Sequence, residues 1–161
     1  MRFSGNCSLE NAKNFKEVTN VSGLRGSFTQ SMDTKGRMSF PAKLRETIGE
    51  KFVITRGLGG CLFAYSLEVF ERKEAAIQSV PMSKGLTMQR FFLSWACEVE
   101  ADKQGRILVP QNLREFAKLN KEIIVTGVAD RVEIWDKALW DEFNNNISEE
   151  DIMLQMEGLD I

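Results

Sequence analysis

The chain contains no histidine among its 161 residues. That removes Ser-His and Cys-His nucleophile pairs, imidazole metal ligands and the commonest general base. The three cysteines, Cys7, Cys61 and Cys97, are odd in number and far apart. They match neither a disulfide framework nor a zinc spacing, and are expected to be reduced thiols of a cytosolic protein. No apolar run approaches the roughly 18 residues of a membrane span. The first residues, Met1-Arg2-Phe3-Ser4-Gly5-Asn6-Cys7, hold no apolar core of a secretory signal. The Gly57-Leu58-Gly59-Gly60 run lacks the Gly-Lys-Ser/Thr ending of a phosphate loop and is expected to be a strand-to-strand turn. Cys61, beside Leu62-Phe63, is expected to be a buried strand cysteine and not a nucleophile. These absences favour a protein that is not an enzyme, with no cofactor, metal or small-molecule substrate.

What the chain does contain is a repeat. Asp33-Thr34-Lys35-Gly36-Arg37 recurs as Asp102-Lys103-Gln104-Gly105-Arg106. Each copy runs through a short apolar segment into a proline and a helical start, Pro41-Ala42-Lys43-Leu44-Arg45-Glu46 and Pro110-Gln111-Asn112-Leu113-Arg114-Glu115. Seven residues over fourteen positions recur at an offset of 69, including a Gly, a Pro and two Arg in fixed order. A repeat of this kind sets the architecture and is read before anything else. Either copy alone is near the size at which independent folding is marginal. Two half-domains sharing one core are therefore expected.

The segments divide accordingly. Residues 1–22 are a polar extension with no counterpart later. Residues 24–80 form the first repeat, 81–95 a connecting helical region, 96–146 the second repeat and 147–161 an acidic tail. In each repeat the pattern predicts strand, turn, strand, helix, two strands and a helix. Asp and Gly supply the turn chemistry at Asp33–Gly36 and Asp102–Gly105. Pro41 and Pro110 open short helices, the second reaching Leu119. Ser66 and Asp136 cap the later helices. Thr87 is expected to cap a helix from Met88 to Trp95, whose Phe91, Phe92 and Trp95 must be buried in the core or between subunits. Ser148 opens a last helix with a capping box, expected to dock on a neighbour. Eight short strands from two halves can close on one another with helices outside.

Net charge is −2, but it is polarised. Residues 21–56 carry seven Lys/Arg against three acids, residues 96–135 six against seven, and residues 136–161 one against eight. A locally basic surface can therefore coexist with an acidic tail. In the first hairpin, Lys35 and Arg37 flank a tight turn. An arginine there can reach phosphates or fork onto a guanine. It can equally do no more than pair with Asp33 and staple the turn. Arg25, Lys43 and Arg45 are further basic positions of the same stretch, and Lys103 and Arg106 are those of the second copy.

Leu24-Arg25-Gly26, Met32 to Arg37 and Phe40 to Arg45, with the second copy Asp102 to Arg114, resemble the bacterial MraZ family. That family is similar to the AbrB/SpoVT swapped-hairpin regulators. The resemblance covers about residues 24–146. It implies a mixed α+β fold, a pseudo-symmetric β-barrel of two AbrB-like swapped-hairpin repeats with flanking helices. It also implies a sequence-specific transcriptional regulator, cytoplasmic and nucleoid-associated. Its partners would be double-stranded promoter DNA, at short tandem boxes ahead of the division and cell-wall gene cluster, and itself, in a ring-shaped homo-oligomer. The family's Asp-x-x-x-Arg motif maps onto Asp33/Arg37 and Asp102/Arg106. The DNA-binding residues expected are Arg37, Lys35, Arg106, Lys103, Arg25, Lys43 and Arg45, with Asp33, Gly36, Asp102 and Gly105 shaping the turns. Arg106 sits among acids, so the first copy is expected to read DNA more strongly. The rival readings are a ring-forming interaction scaffold without DNA binding, and a hydrolase using Cys61 or paired carboxylates.

Overall fold

The computed structural model describes residues 23–161; the reading of residues 1–22, Cys7 included, lies outside them. The strands and helices of the first repeat are β1 (Leu24–Ser31), β2 (Arg37–Ser39), α1 (Ala42–Ile48), β3 (Lys51–Arg56), β4 (Leu62–Ser66) and α2 (Leu67–Ser79). After α3 (Met82–Leu93) the order repeats as β5 (Cys97–Glu100), β6 (Arg106–Leu108), α4 (Gln111–Phe116), β7 (Glu122–Ala129), β8 (Arg131–Asp136) and α5 (Lys137–Asn145). The tail is α6 (Glu149–Met156).

Six strands form one antiparallel sheet in the order β1-β7-β8-β4-β3-β5, while β2 and β6 form a separate two-stranded ribbon. The repeats exchange strands. β1 of the first repeat pairs with β7 of the second, and β5 of the second pairs with β3 of the first. In the ribbon Met38 lies opposite Ile107, its counterpart at the repeat offset, so a local twofold axis passes through this pair. The expected closed barrel is not formed. β1 and β5 are the two edges of the sheet and do not pair with each other, and the β2–β6 ribbon touches the sheet only through an isolated Met32–Met38 bridge at the end of β1.

The sheet is covered on both sides. On β3, β4, β7 and β8 alternate side chains face opposite ways, as a period of two requires. Phe52, Ile54, Leu62, Ile123, Val125 and Ile134 join Met38, Ile107, Leu44 and Leu113 in one core drawn from both repeats. Phe63, Tyr65, Ile124 and Trp135 face the other way, under Val69, Phe70, Phe92, Leu139 and Trp140. Burial on both faces explains why these strands read as continuous apolar runs. Neither repeat holds this core alone, in keeping with the marginal size of each.

Three of the expected caps, Ser66, Asp136 and Ser148, fall where expected, while Thr87 lies inside a helix. The Ser66 side chain accepts a hydrogen bond from Val69 N–H at 3.2 Å, that of Asp136 from Leu139 and that of Ser148 from Asp151. Ser66→Ala should cost about 1 kcal/mol, read as a lower urea midpoint at unchanged slope.

Two boundaries differ from expectation. α3 begins at Met82 and runs through Thr87, with Pro81 before it. Gly85 allows this, because its bare Cα lies tight against the Val80 side chain where α2 turns into α3. α4 ends at Phe116, short of Leu119, where Lys118 takes φ +51. Five residues separate α4 from β7, against two between α1 and β3, and this turn lies within the longer link. Phe91, Phe92 and Trp95 are half-buried. Phe91 and Trp95, with Phe116 of α4, surround the Arg56 guanidinium at 4.2, 4.3 and 5.4 Å from the ring centroids. Arg56 Nε also donates to the Phe91 carbonyl. Its charge is thereby spent on pinning α3 to the end of β3.

Candidate nucleic-acid interface

Each repeated turn is built around its aspartate. Asp33 Oδ1 accepts the N–H groups of Lys35 and Arg37, both at 2.9 Å, and Oδ2 accepts Arg37 Nε at 3.3 Å. Asp102 does the same with Gln104 and Arg106, at 2.9, 2.9 and 3.1 Å. Gly36 and Gly105 close the turns at φ +88 and +76, where a Cβ is strained. Both carboxyls are held below their ordinary value of 3.8, foremost by the backbone N–H of Arg37 and of Arg106 respectively. A depressed folded value means that the turn's stabilisation is complete above the ordinary carboxylate range. It is lost as pH falls through the lowered values. The carboxyl carbon resonances of Asp33 and Asp102 should therefore titrate below 3.8. A midpoint at or above 3.8 in either would mean that these hydrogen bonds from backbone N–H groups do not form.

The ribbon sets the two arginines side by side. Met38 and Ile107 point into the core, each 1% exposed. Arg37, Ser39, Arg106 and Leu108 therefore share the outer face, with Arg37 opposite Leu108 and Arg106 opposite Ser39. That diagonal places the two arginine Cα atoms about 7–8 Å apart. The side chains are 41% exposed in both cases. Among the described residues, only Nε of each guanidinium is engaged, by its aspartate. The Nη groups remain for an outside acceptor, in the fork geometry that suits phosphate or a guanine edge. The ladder continues past the strands through Val109 N–H to the Gly36 carbonyl and Phe40 N–H to the Gly105 carbonyl, each at 2.9 Å. The two turns thus sit at opposite ends of the ribbon.

The other expected residues are placed unequally. Lys35 and Lys103 are exposed on the turns at either end, although Lys103 occupies the position of Thr34, and Gln104 that of Lys35. Lys43 is exposed on α1. Arg25 lies on β1, six residues before its end at Ser31, which is about 20 Å along the strand at the usual rise. It is not brought to the ribbon. Arg45 is mostly covered, its side chain 20% exposed; Nε donates to the Phe40 carbonyl at 3.1 Å and Nη1 pairs with Glu50 at 3.4 Å. Arg114, absent from the expected set, occupies the equivalent place, with Nε donating to the Val109 carbonyl at 3.0 Å. The signal for it was present, since Arg45 and Arg114 are one of the seven identities of the repeat. Cys61 is fully buried, and burial pushes its thiol up to about 12, so it offers no thiolate. Among the described residues no cluster of His, Cys, Asp or Glu is arranged to hold a metal ion. No helix among them is long and apolar enough to cross a membrane.

The two halves of the chain are each matched by a known family. The family model described as "MraZ protein, putative antitoxin-like" matches twice, over residues 24–89 and 92–159. The chain belongs to the MraZ family. Similar relatives include the transcriptional regulator MraZ of Thermoanaerobacter sp. (strain X514), 49% identical over 142 residues that cover 86% of this chain and 99% of the relative. The protein of the same name from Acetivibrio thermocellus is 49% identical over 140 residues, covering 84% of this chain and 98% of the relative. That from Clostridium beijerinckii is 47% identical over 139 residues, with the same two shares. The matches span nearly the whole of these MraZ relatives, so the two-repeat unit is common to all three.

Proposed function

We propose that the chain is a sequence-specific DNA-binding transcriptional regulator that reads duplex DNA with the outer face of its β2–β6 ribbon. One observation carries this reading. Arg37 and Arg106 are held on that face by aspartates that occupy Nε, and their part-exposed Nη groups have no partner among the described residues. A two-stranded ribbon fits a major groove about 12 Å wide. Lys35 and Lys103, at the two ends, suit the phosphates that border such a groove. The names of the relatives, transcriptional regulators, support regulation of transcription.

The resemblance extends the proposal to tandem boxes in the promoter of the division and cell-wall gene cluster, bound by a ring-shaped homo-oligomer in the cytoplasm and nucleoid. One ribbon contacts few phosphates and binds weakly alone; several copies on successive boxes gain affinity through effective concentration. The test is a titration of promoter duplex carrying tandem boxes at several salt concentrations, with light scattering of the free and bound protein. Tight binding that weakens steeply with salt, by an assembly of several copies, is expected. No binding at low salt by folded protein would overturn the proposal.

A second reading is an interaction scaffold without DNA binding. It draws on α6, where Met153 and Leu154 are 71% and 67% exposed between acidic residues. The same titration separates the two.

A further inference from the structure

Arg45 and Arg114 are partly buried arginines, and each lies against the turn of the other repeat. A Cβ built on Gly36 would stand 2.5 Å from Nε and 2.6 Å from Cζ of Arg114. One built on Gly105 would stand 2.7 Å from Cζ and both Nη atoms of Arg45. Each guanidinium is therefore a lid on a glycine that takes a positive φ.

The lid is tied to the reading arginine by an unbroken chain of hydrogen bonds. Arg114 Nε donates to the Val109 carbonyl at 3.0 Å, and Val109 N–H donates to the Gly36 carbonyl at 2.9 Å. Gly36 N–H donates to the Asp33 carbonyl at 3.1 Å, and the Asp33 carboxylate takes both N–H and Nε of Arg37. The second chain runs from Arg45 through Phe40, Gly105 and Asp102 to Arg106, with the corresponding bonds between 2.9 and 3.1 Å.

We propose that Arg114 and Arg45 are positioning residues for DNA binding, each fixing the reading arginine of the opposite repeat: Arg114 fixes Arg37, and Arg45 fixes Arg106. This rests on the function proposed above. An arginine whose Nε is bound to a main-chain carbonyl and whose plane covers a glycine is poorly placed to reach a phosphate itself. Removing it uncovers the turn and loosens the aspartate bracket, so the loss falls on one arginine and crosses from one repeat to the other.

The experiment is a double-mutant cycle on the full chain, titrating duplex DNA with tandem promoter boxes at one salt concentration. Arg114→Ala is expected to weaken binding about tenfold in the wild-type and Arg106→Ala backgrounds, and by no more than about twofold in Arg37→Ala. A full tenfold loss in Arg37→Ala would mean that Arg114 contacts DNA on its own and would overturn the proposal. So would equal coupling to Arg37 and Arg106, which marks a general loosening of the fold. Arg114→Met keeps a stem long enough to cover Gly36 without the charge, and should retain affinity within about threefold of wild type. A loss as large as that of Arg114→Ala, with the same coupling to Arg37, would place the fixing in the Nε bond to Val109 and not in the cover over Gly36; the same loss without that coupling overturns the proposal.

NMR of the free protein reads the same link without DNA. In Arg114→Met and Arg114→Ala the Arg37 Nε–H signal should move or exchange faster, more so in alanine, while that of Arg106 stays. An unchanged Arg37 signal in Arg114→Ala overturns the proposal. Wild-type protein that ignores the duplex overturns the DNA-reading function instead, and the Nε–H comparison then decides the positioning role by itself. Should Arg114→Ala not fold, Arg114→Met and Arg114→Lys carry both measurements.

Discussion

Arg37→Ala is expected to weaken binding to box-bearing duplex DNA by about 10- to 100-fold, the cost of losing one bidentate arginine contact. The slope of log affinity against log salt should fall by about one if the lost contact is a phosphate. Thermal stability should scarcely move. The Arg37–Asp33 pair is exposed on both sides, and ion pairs of that kind contribute between nothing and about 1 kcal/mol. Stable folding with lost affinity separates reading from scaffolding. A variant that binds as wild type would sink the role of Arg37 and leave the arginine as a staple of its turn.

Arg106→Ala should fall within a few-fold of Arg37→Ala. The charge distribution along the chain suggests a stronger first copy, yet the two sites have nearly the same geometry, 3.3 and 3.1 Å to their aspartates with equal exposure. The arginines that cover the turns are also exchanged, so Arg114 of the acidic repeat lies at the first turn and Arg45 of the basic repeat at the second. Contrast along the sequence is thereby mixed in space. An Arg106→Ala variant with undiminished affinity would restore the unequal assignment.

Gly36→Val is expected to cost about 3 kcal/mol of stability, a fall in melting temperature of roughly 6–12 °C, and to remove measurable DNA binding. Two effects add. At φ +88 a β-branched residue is strained whatever the space around it. The new Cβ would also meet the Arg114 side chain at 2.5 Å, forcing the lid off the turn. Gly105→Val should do the same through Arg45. Unchanged melting in Gly36→Val would mean that the turn can re-form without a left-handed residue.

The contents of the turns were legible in the residues themselves. An Asp followed by Gly and Arg at fixed spacing encodes a local hydrogen-bonding pattern, and local patterns depend on neighbours in sequence. The helix caps at Ser66, Asp136 and Ser148 were legible for the same reason, as was the shared core implied by two half-sized repeats. The start of α3 was not legible, because a proline, a glycine and a threonine have the pattern of a connector and a cap. Only the packing of Gly85 against Val80 shows why the helix runs through them.

Partnership between distant segments was not legible. The residues specify strands without saying that β1 must pair across 99 positions, as Ser27 and Thr126 do through their hydroxyls at 2.8 Å. Pairing of β2 with β6 is likewise a choice among edges of similar pattern. Arg45 illustrates the division. Its sequence neighbours place it on a basic stretch, and nothing local indicates that its guanidinium covers a glycine of the other repeat. By itself the sequence determined that there are two Asp-Gly-Arg turns, each folded by its own aspartate. The tertiary structure decided that the turns flank one ribbon and hold each other closed, because strand exchange about a local twofold axis brings each turn against the helix of its counterpart.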